Sequence, residues 1–367
     1  MDRKIFGEIV AQTAENGVTA PLNPTTLDPA AEAAAAALAR EGDSVNTRQS
    51  YRSALRYWAA WYGLRYRQPL LPPLSSAAIV QFIVDHAERT TPQGLATEMP
   101  AALDAALVAL GMKARRGAPA LATLRHRLAV IGKLHTVRGL ANPCAEPAVR
   151  ELMAKTRRAY AKRGVRPAKK AALTRDPLRQ ILATCDDSLR GKRDRALLLF
   201  AWASGGRRRS EVVRASFDTL RRTGDDAYVF TLTWSKTNQG GEARAENDKP
   251  IVGEAGAALT AWLAASKLTE GPLFRRIRRG GHVGEPLTEA AVRDIVRKRC
   301  AMAGLEGDYS AHSLRAGFVT EAARQQIPLA ETMAMTGHTS VATVVGYFRG
   351  ADISRSRAAR LIDDEPS

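Results

Sequence analysis

The sequence predicts a mostly α-helical chain of two domains, a helical bundle followed by an α-rich α+β domain with a small antiparallel sheet. Three observations carry this. Apolar residues recur at helical spacing almost without interruption from residue 28 to about residue 160. A stretch of concentrated positive charge, 155–175, then breaks the pattern. Beyond it, β-rich runs appear among helical segments, "YVFTLTW" (228–234) and "KPIVG" (249–253). At 367 residues the chain is long enough for two separate cores.

Residues 1–27 mix Pro, Thr, Asn and Gly without periodicity and are expected to form a flexible arm. The helical domain is expected over 28–164, as four or five helices with basic edges. Its first helix is the Ala-rich "AAEAAAAALA" (30–39), which Asp28 can cap, Pro29 can open and Gly42 can stop. "VNTRQSYRSALRYWAAWYG" (45–63) sets Tyr51, Leu55 and Trp58 along one stripe and Arg48, Arg52 and Arg56 along the next. "SSAAIVQFIVDHAE" (75–88) and "ATLRHRLAVIGKLHTVRG" (122–139) are two further amphipathic helices, the second bearing Arg125, Arg127 and Lys133. "KTRRAYAKRGVRPAKKAALTR" (155–175) holds nine Lys/Arg and no acid, together with Gly164 and Pro167. Such a run repels itself, so it reads as a helix end entering a basic linker at 165–173.

The second domain, with a C-terminal tail, is expected over 174–367. "RDRALLLFAWASG" (193–205) is an apolar helix stopped by Gly205–Gly206, and "RRRSEVVRA" opens the next. The β-rich runs make a hairpin whose long polar tip is "SKTNQGGEARAEND". Helices resume at 254–266, 287–303, 312–325 and 328–336.

The charge is strongly positive, +18 from 55 Lys+Arg and 37 Asp+Glu. It is also uneven: residues 1–45 carry three basic residues against seven acids, a net of −4, so the remainder holds +22. A field of one sign attracts a polyanion, and nucleic acid is the usual one. The exposed arginine stripe Arg48, Arg52, Arg56, the helix residues Arg125, Arg127 and Lys133, and the basic run with Arg157, Arg158, Lys162, Arg163, Lys169 and Lys170 are the expected phosphate contacts. The three cysteines, Cys144, Cys185 and Cys300, lie far apart, which fits a reducing cytosol and neither a disulfide framework nor a zinc site. With no run of about 18 apolar residues and no signal peptide, a cytoplasmic protein without a membrane span is expected.

Five features of the second half bear chemistry: "GRRRSE" (206–211), Lys236 at the hairpin tip, "HSLR" with His312 and Arg315 on one helix face, His338, and Tyr347. Each alone is an ordinary structural residue; together they suit a phosphodiester. Guanidinium forks hold non-bridging oxygens and stabilise a pentacoordinate transition state. A lysine can protonate a departing oxygen, and a tyrosine becomes a nucleophile beside a base and local positive charge. No carboxylate cluster suggests a metal, and no cofactor is expected. His338 and Tyr347 lie nine residues apart, which would put them on opposite faces of one helix, so a break is expected, at Gly346.

These motifs resemble the tyrosine recombinase (phage integrase) family, whose pattern is Arg, Lys, His-x-x-Arg, His/Trp and Tyr in that order. The "G-x-R-x-S-E" turn matches residues 206–211 and its register selects Arg208 among Arg207, Arg208 and Arg209. The lysine maps to Lys236 in "WSKTNQGG", the pair to His312 and Arg315 in "AHSLRAGFVTEAA", and the last two to His338 and Tyr347 in "TGHTSVATVVGYFRG". The region 123–173 is similar to the SAM-like core-binding domain and linker of Cre-like members, so the resemblance spans roughly residues 40–350.

The resemblance implies a DNA recombinase acting through a 3′-phosphotyrosine on Tyr347. Arg208 and Arg315 would hold the phosphate with a hydrogen bond from His338, Lys236 would be the general acid, and His312 the proton acceptor. Glu211 would orient its surroundings. It further implies double-stranded DNA as partner and a tetramer on two DNA sites formed from free monomers. An accessory DNA-bending or directionality protein is a further possible partner, and the nucleoid is the expected location. Ile353, Leu361 and Ile362 in the tail would dock on a neighbouring protomer. Two other readings remain open here: a topoisomerase IB-like relaxase and a silent DNA-binding protein that kept the fold.

Overall fold

A computed structural model describes residues 29–42, 44–165, 171–233 and 247–348. The chain divides into two compact units, 1–167 and 168–367. The expected arm, Lys169 and Lys170, the hairpin tip with Lys236, and the tail with Ile353, Leu361 and Ile362 lie outside the described residues.

In the first unit, helices α1 (Pro29–Gly42), α2 (Val45–Tyr66), α3 (Ser76–His86), α4 (Ala101–Ala109), α5 (Leu121–Val137) and α6 (Pro147–Lys162) follow one another. Ser44 and Ser75 cap α2 and α3 by accepting from the amides of Thr47 and Ala78, removing two orphan donors. The expectation of four or five helices is corrected in number, since six form among the described residues, and at one place in type. Strands β1 (Arg89–Thr91) and β2 (Gly94–Ala96) form a hairpin, because Pro92-Gln93-Gly94 favours a turn and Gly94 adopts φ +116°.

The core of this unit is aromatic. Trp58 stacks on Phe82 with centroids 3.6 Å apart, and Trp61 meets the same ring edge-on at 4.9 Å. Buried His86 accepts from the Tyr57 hydroxyl at Nε2 (2.7 Å) and donates from Nδ1 to the Phe82 carbonyl (2.6 Å). Burial pushes its pKa down to about 3. Protonation therefore favours the unfolded chain, whose histidine titrates near ~6.5. The stability His86 contributes is complete above that pH and is lost as pH falls toward about 3, at about 1.4 kcal/mol per pH unit. Urea midpoints followed by tryptophan fluorescence should drop between about pH 7 and about pH 5; a flat profile would contradict a neutral buried His86.

The second unit contains α7 (Arg175–Ala183), α8 (Leu189–Ala203), α9 (Arg209–Arg214), the sheet β3 (Leu220–Gly224), β4 (Ala227–Thr231) and β5 (Asp248–Ile251), and α10 (Gly253–Ser266). Then come the hairpin β6 (Arg275–Ile277) and β7 (Val283–Pro286), and helices α11 (Glu289–Met302), α12 (Ala311–Arg324), α13 (Leu329–Thr336) and α14 (Val341–Phe348). Helix α8 is the central element, buried at every position from Ala196 to Ala201 and packed on α10. Its buried Asp194 accepts two bonds from Arg193 at Oδ1 (2.9 and 2.5 Å) and two from Arg299 at Oδ2 (2.8 and 2.6 Å), so one carboxylate ties two guanidinium groups together inside the core.

The sheet runs β3-β4-β5, all antiparallel, with Tyr228 opposite Ile251 and Phe230 opposite Lys249. The inner face carries Tyr228, Phe230, Ile251 and, unusually, Lys249, which is 2% exposed. Strand β3 and the β6–β7 hairpin were not expected from sequence; Arg221, Arg222, Arg276 and Arg278 give them little apolar alternation.

Candidate active site

The Gly205–Gly206 turn after α8 is where three segments of the second unit meet. Both glycines have positive φ, +95° and +69°. A Cβ at Gly205 would lie 2.2 Å from the Met335 carbonyl oxygen on α13, and one at Gly206 would lie 2.3 Å from Arg315 Cα on α12. Only glycine combines that backbone with that approach. The turn therefore brings the arginine triplet against α12 and the end of α13.

Three consecutive arginines occupy three environments. Arg207 is buried, donates from Nη2 to the Met335 carbonyl (2.7 Å) and lies 3.6 Å from Glu211. Arg208 stands at the N-terminus of α9, half-buried, and donates from Nη1 to Glu211 Oε1 (2.6 Å). Arg209 is exposed. Glu211 also accepts from the Arg208 amide at 3.0 Å, so it fixes the arginine at backbone and side chain together. Burial alone would raise the Glu211 carboxyl, but Arg207 and Arg208 outweigh it and hold the pKa below the usual range.

On α12, Ser310 caps the helix by accepting from the His312 amide at 3.3 Å. Arg315, one turn on, is buried; Nη1 donates to the Gly206 carbonyl (3.4 Å) and Nε to His338 Nε2 (3.3 Å). His312 is exposed on the same helix. Its pKa is lowered by desolvation, then by Arg315, Arg208 and Arg209. His338 is pushed down to about 4 by desolvation and then by Arg315, Arg208, Arg207 and His312. Arg208, His312, Arg315 and His338 thus form one electrostatically coupled group.

The break between His338 and Tyr347 is not at Gly346. Helix α13 ends at Gly337, which takes φ +67° and donates to the Met333 carbonyl (2.8 Å). Residues 338–340 connect to α14, which runs from Val341 through Gly346 to Phe348 and carries Tyr347 in its last turn. Gly337 breaks the helix because it adopts the left-handed conformation. Gly346 keeps helical geometry, where glycine weakens a helix without ending it. Helix α14 packs on α12 and α13, with Val344 buried.

Lys249 has a place that sequence reasoning did not assign. From the inner face of β5 its Nζ donates to the Ala334 carbonyl (2.6 Å), next to the carbonyl that Arg207 holds. Two buried cations therefore cap the C-terminal end of α13, where the helix dipole is negative. A lysine two residues from Ile251, at an inward strand register, was the available signal.

In the first unit, Arg48, Arg52 and Arg56 are exposed on α2 and, with Tyr51 and Leu55, line a shallow groove. Arg125 and Lys133 of α5 and Arg157 of α6 are exposed around a second groove floored by Leu128 and Met153; Arg150, not singled out from sequence, joins them. Arg158 and Lys162 are exposed as well. Arg127 and Arg163 differ from the expectation of a free basic face. The Arg127 guanidinium lies 3.2 Å from the centroid of the buried Tyr57 ring. Arg163 donates to the Glu88 carbonyl (3.0 Å) and sits over Tyr160 at 4.3 Å. Both follow their aromatic neighbours inward. Among the described residues no helix is long and apolar enough to cross a membrane.

A family model described as the phage integrase family matches residues 171–352. The chain is 30% identical over 246 residues to an integrase/recombinase XerD homolog of Selenomonas ruminantium, covering 64% of this chain and 70% of that one. Among solved structures, the XerH site-specific recombinase bound to a palindromic difH substrate is similar with a TM-score of 0.53 at 14% identity, over 86% of this chain and 80% of that one. The Tn1549 transposon integrase in complex with transposon right end DNA gives 0.52 at 13%, over 87% and 93%. A lambda integrase dimer bound to a core site gives 0.50 at 18%, again over 87% and 93%. At these identities the structural likeness speaks for the fold: mostly helical, with small antiparallel sheets.

Proposed function

The chain belongs to the phage integrase family of tyrosine recombinases, and from that premise we propose that it cuts and rejoins DNA at specific sites through a 3′-phosphotyrosine intermediate. The observation that supports this most is the convergence of Arg208, Arg315 and His338 at the Gly205–Gly206 turn, with Tyr347 on a helix packed against the same elements. In this reading the Tyr347 oxygen attacks the scissile phosphorus and the bond to the 5′-oxygen breaks. The tyrosine proton passes to His312, and the departing 5′-oxygen takes a proton from Lys236. Arg208 and Arg315 hold the non-bridging oxygens, and His338 donates to one of them. Glu211 keeps Arg208 aimed. A 5′-hydroxyl from a partner duplex reverses the step, so one phosphodiester replaces another without an external energy source.

The DNA partner engages the exposed arginines of α2, α5 and α6, among them Arg48, Arg52, Arg56, Arg125 and Arg157, and Lys169 and Lys170 are further expected phosphate contacts. Assembly as a tetramer on two sites, from monomers, completes the reading. A relaxase of the topoisomerase IB type would share the chemistry, and a silent DNA-binding protein would share only the fold.

A nicked suicide duplex carrying the chain's recombination site tests the reading. The wild-type chain should form a complex with DNA that survives denaturation; binding without a covalent product would leave the silent alternative. The pH profile adds a second reading. His312 is held below its ordinary pKa and His338 at about 4, so both rings gain their proton at more acid pH than a free histidine does. Cleavage should persist below ~6.5 and fail only at more acid pH. An acid limb centred at the free-histidine value would contradict the depressed pKa of His312.

A further inference from the structure

Both ring nitrogens of His338 are engaged, and their partners fix where its proton sits. Arg315 Nε faces His338 Nε2 at 3.3 Å. A guanidinium nitrogen only donates, so Nε2 is the acceptor and the neutral ring carries its proton on Nδ1. That N–H donates to Thr336 Oγ1 at 2.8 Å, and the Thr336 hydroxyl donates onward to the Thr332 carbonyl, also at 2.8 Å. The resting His338 therefore turns a lone pair, not an N–H, toward the guanidinium group. A phosphate oxygen there needs the opposite.

Thr336 is the one partner able to serve both states, since a hydroxyl accepts and donates. It is buried at the last position of α13. The frame around it is held: Gly337 N donates to the Met333 carbonyl, Lys249 to that of Ala334 and Arg207 to that of Met335, at 2.8, 2.6 and 2.7 Å.

We propose that Thr336 is a positioning residue that lets His338 exchange tautomers when a phosphate enters, without moving the ring. The inference rests on the recombinase reading for its purpose, although the tautomer exchange can be observed without DNA cleavage. The phosphate oxygen takes over the donation from Arg315 Nε. One proton leaves Nδ1 to solvent and one is taken up from solvent at Nε2, so the ring stays neutral. The Thr336 hydroxyl turns its proton from the Thr332 carbonyl to Nδ1. The new Nε2–H then donates to the phosphate.

Nitrogen-15 NMR of the full chain labelled at histidine reads this directly, with the His338 signals identified by their loss in His338→Asn. In the free wild type at neutral pH, Nδ1 should carry the proton. Adding inorganic phosphate to saturation should move it to Nε2. Thr336→Val keeps the shape but leaves Nδ1 without a partner in either tautomer, so the free chain should lose its clean Nδ1–H state and show a mixture of tautomers before phosphate is added. Its suicide-substrate cleavage should fall about tenfold, the loss of one hydrogen bond, at unchanged DNA affinity. Thr336→Ser should recover both. The proposal is overturned by a free wild type already protonated at Nε2, or by a ring that stays Nδ1–H or becomes doubly protonated with phosphate. A Thr336→Val chain that cleaves at the wild-type rate would overturn it as well. A wild type that changes tautomer with phosphate yet cleaves no DNA would instead remove the recombinase reading and leave the exchange standing.

Discussion

Alanine at Arg208 is expected to lower cleavage by ~10²-fold or more, with a smaller loss of thermal stability than alanine at Arg207, the loss of rate typical of one group that stabilises transition-state charge. Alanine at Arg207 should lower cleavage comparably by a different route, and alanine at Arg209 should do little. The sequence register alone singles out Arg208 and leaves its two neighbours equivalent. The structure separates them. Arg207 is buried between Glu211 and the Met335 carbonyl. Removing it takes a fully buried cation from Glu211 and leaves the end of α13 capped by Lys249 alone, a change that costs about 3–5 kcal/mol when a buried pair is broken. Arg207→Ala should therefore show the larger drop in Tm and Arg208→Ala a smaller one, since the half-buried Arg208 also holds Glu211 but does not cap α13. Arg209 is exposed and holds no partner through Glu211. Cleavage rates beside melting curves for the three variants check this. Equal losses at Arg208 and Arg209, or an Arg207→Ala chain as stable and active as wild type, would contradict the assignment.

How far the sequence could be read depended on whether a feature was local. The helices of the first unit follow from periodicity, and the stripe of Arg48, Arg52 and Arg56 stands exposed on α2 where the pattern put it. The Gly205–Gly206 stop and the strand around Phe230 were likewise legible, since glycine pairs and β-branched or aromatic runs act on their own backbone. Features set by partners distant in sequence were not. Nothing near Arg127 announces that its guanidinium will lie over Tyr57, nor does the run 155–165 say that Arg163 will reach Glu88. The helix break was expected at Gly346 and lies at Gly337, because composition does not show which glycine takes a left-handed φ. Its consequence is specific: Tyr347 belongs to a helix that packs on α12 and α13, and it does not open a new segment. Lys249 was overlooked because a strand lysine is ordinarily solvated, and only the carbonyl end of α13 explains its burial.

The second large effect concerns Tyr347, on which the proposed chemistry depends. In the proposed set the arginines, histidines and lysine bind the phosphate, stabilise charge and move protons, and Tyr347 alone is assigned the attack on phosphorus. Phenylalanine keeps the ring and removes only the hydroxyl, so folding and DNA affinity should persist while the covalent step disappears. The decisive measurement is a denaturing gel of wild type and Tyr347→Phe after incubation with the same suicide duplex. The wild type should run as a protein–DNA adduct that protease digests to a DNA-linked peptide containing Tyr347. The phenylalanine variant should bind the duplex equally in a native gel and give no adduct at all. An adduct in the Tyr347→Phe chain, or a wild-type adduct mapped to another residue, would contradict the account.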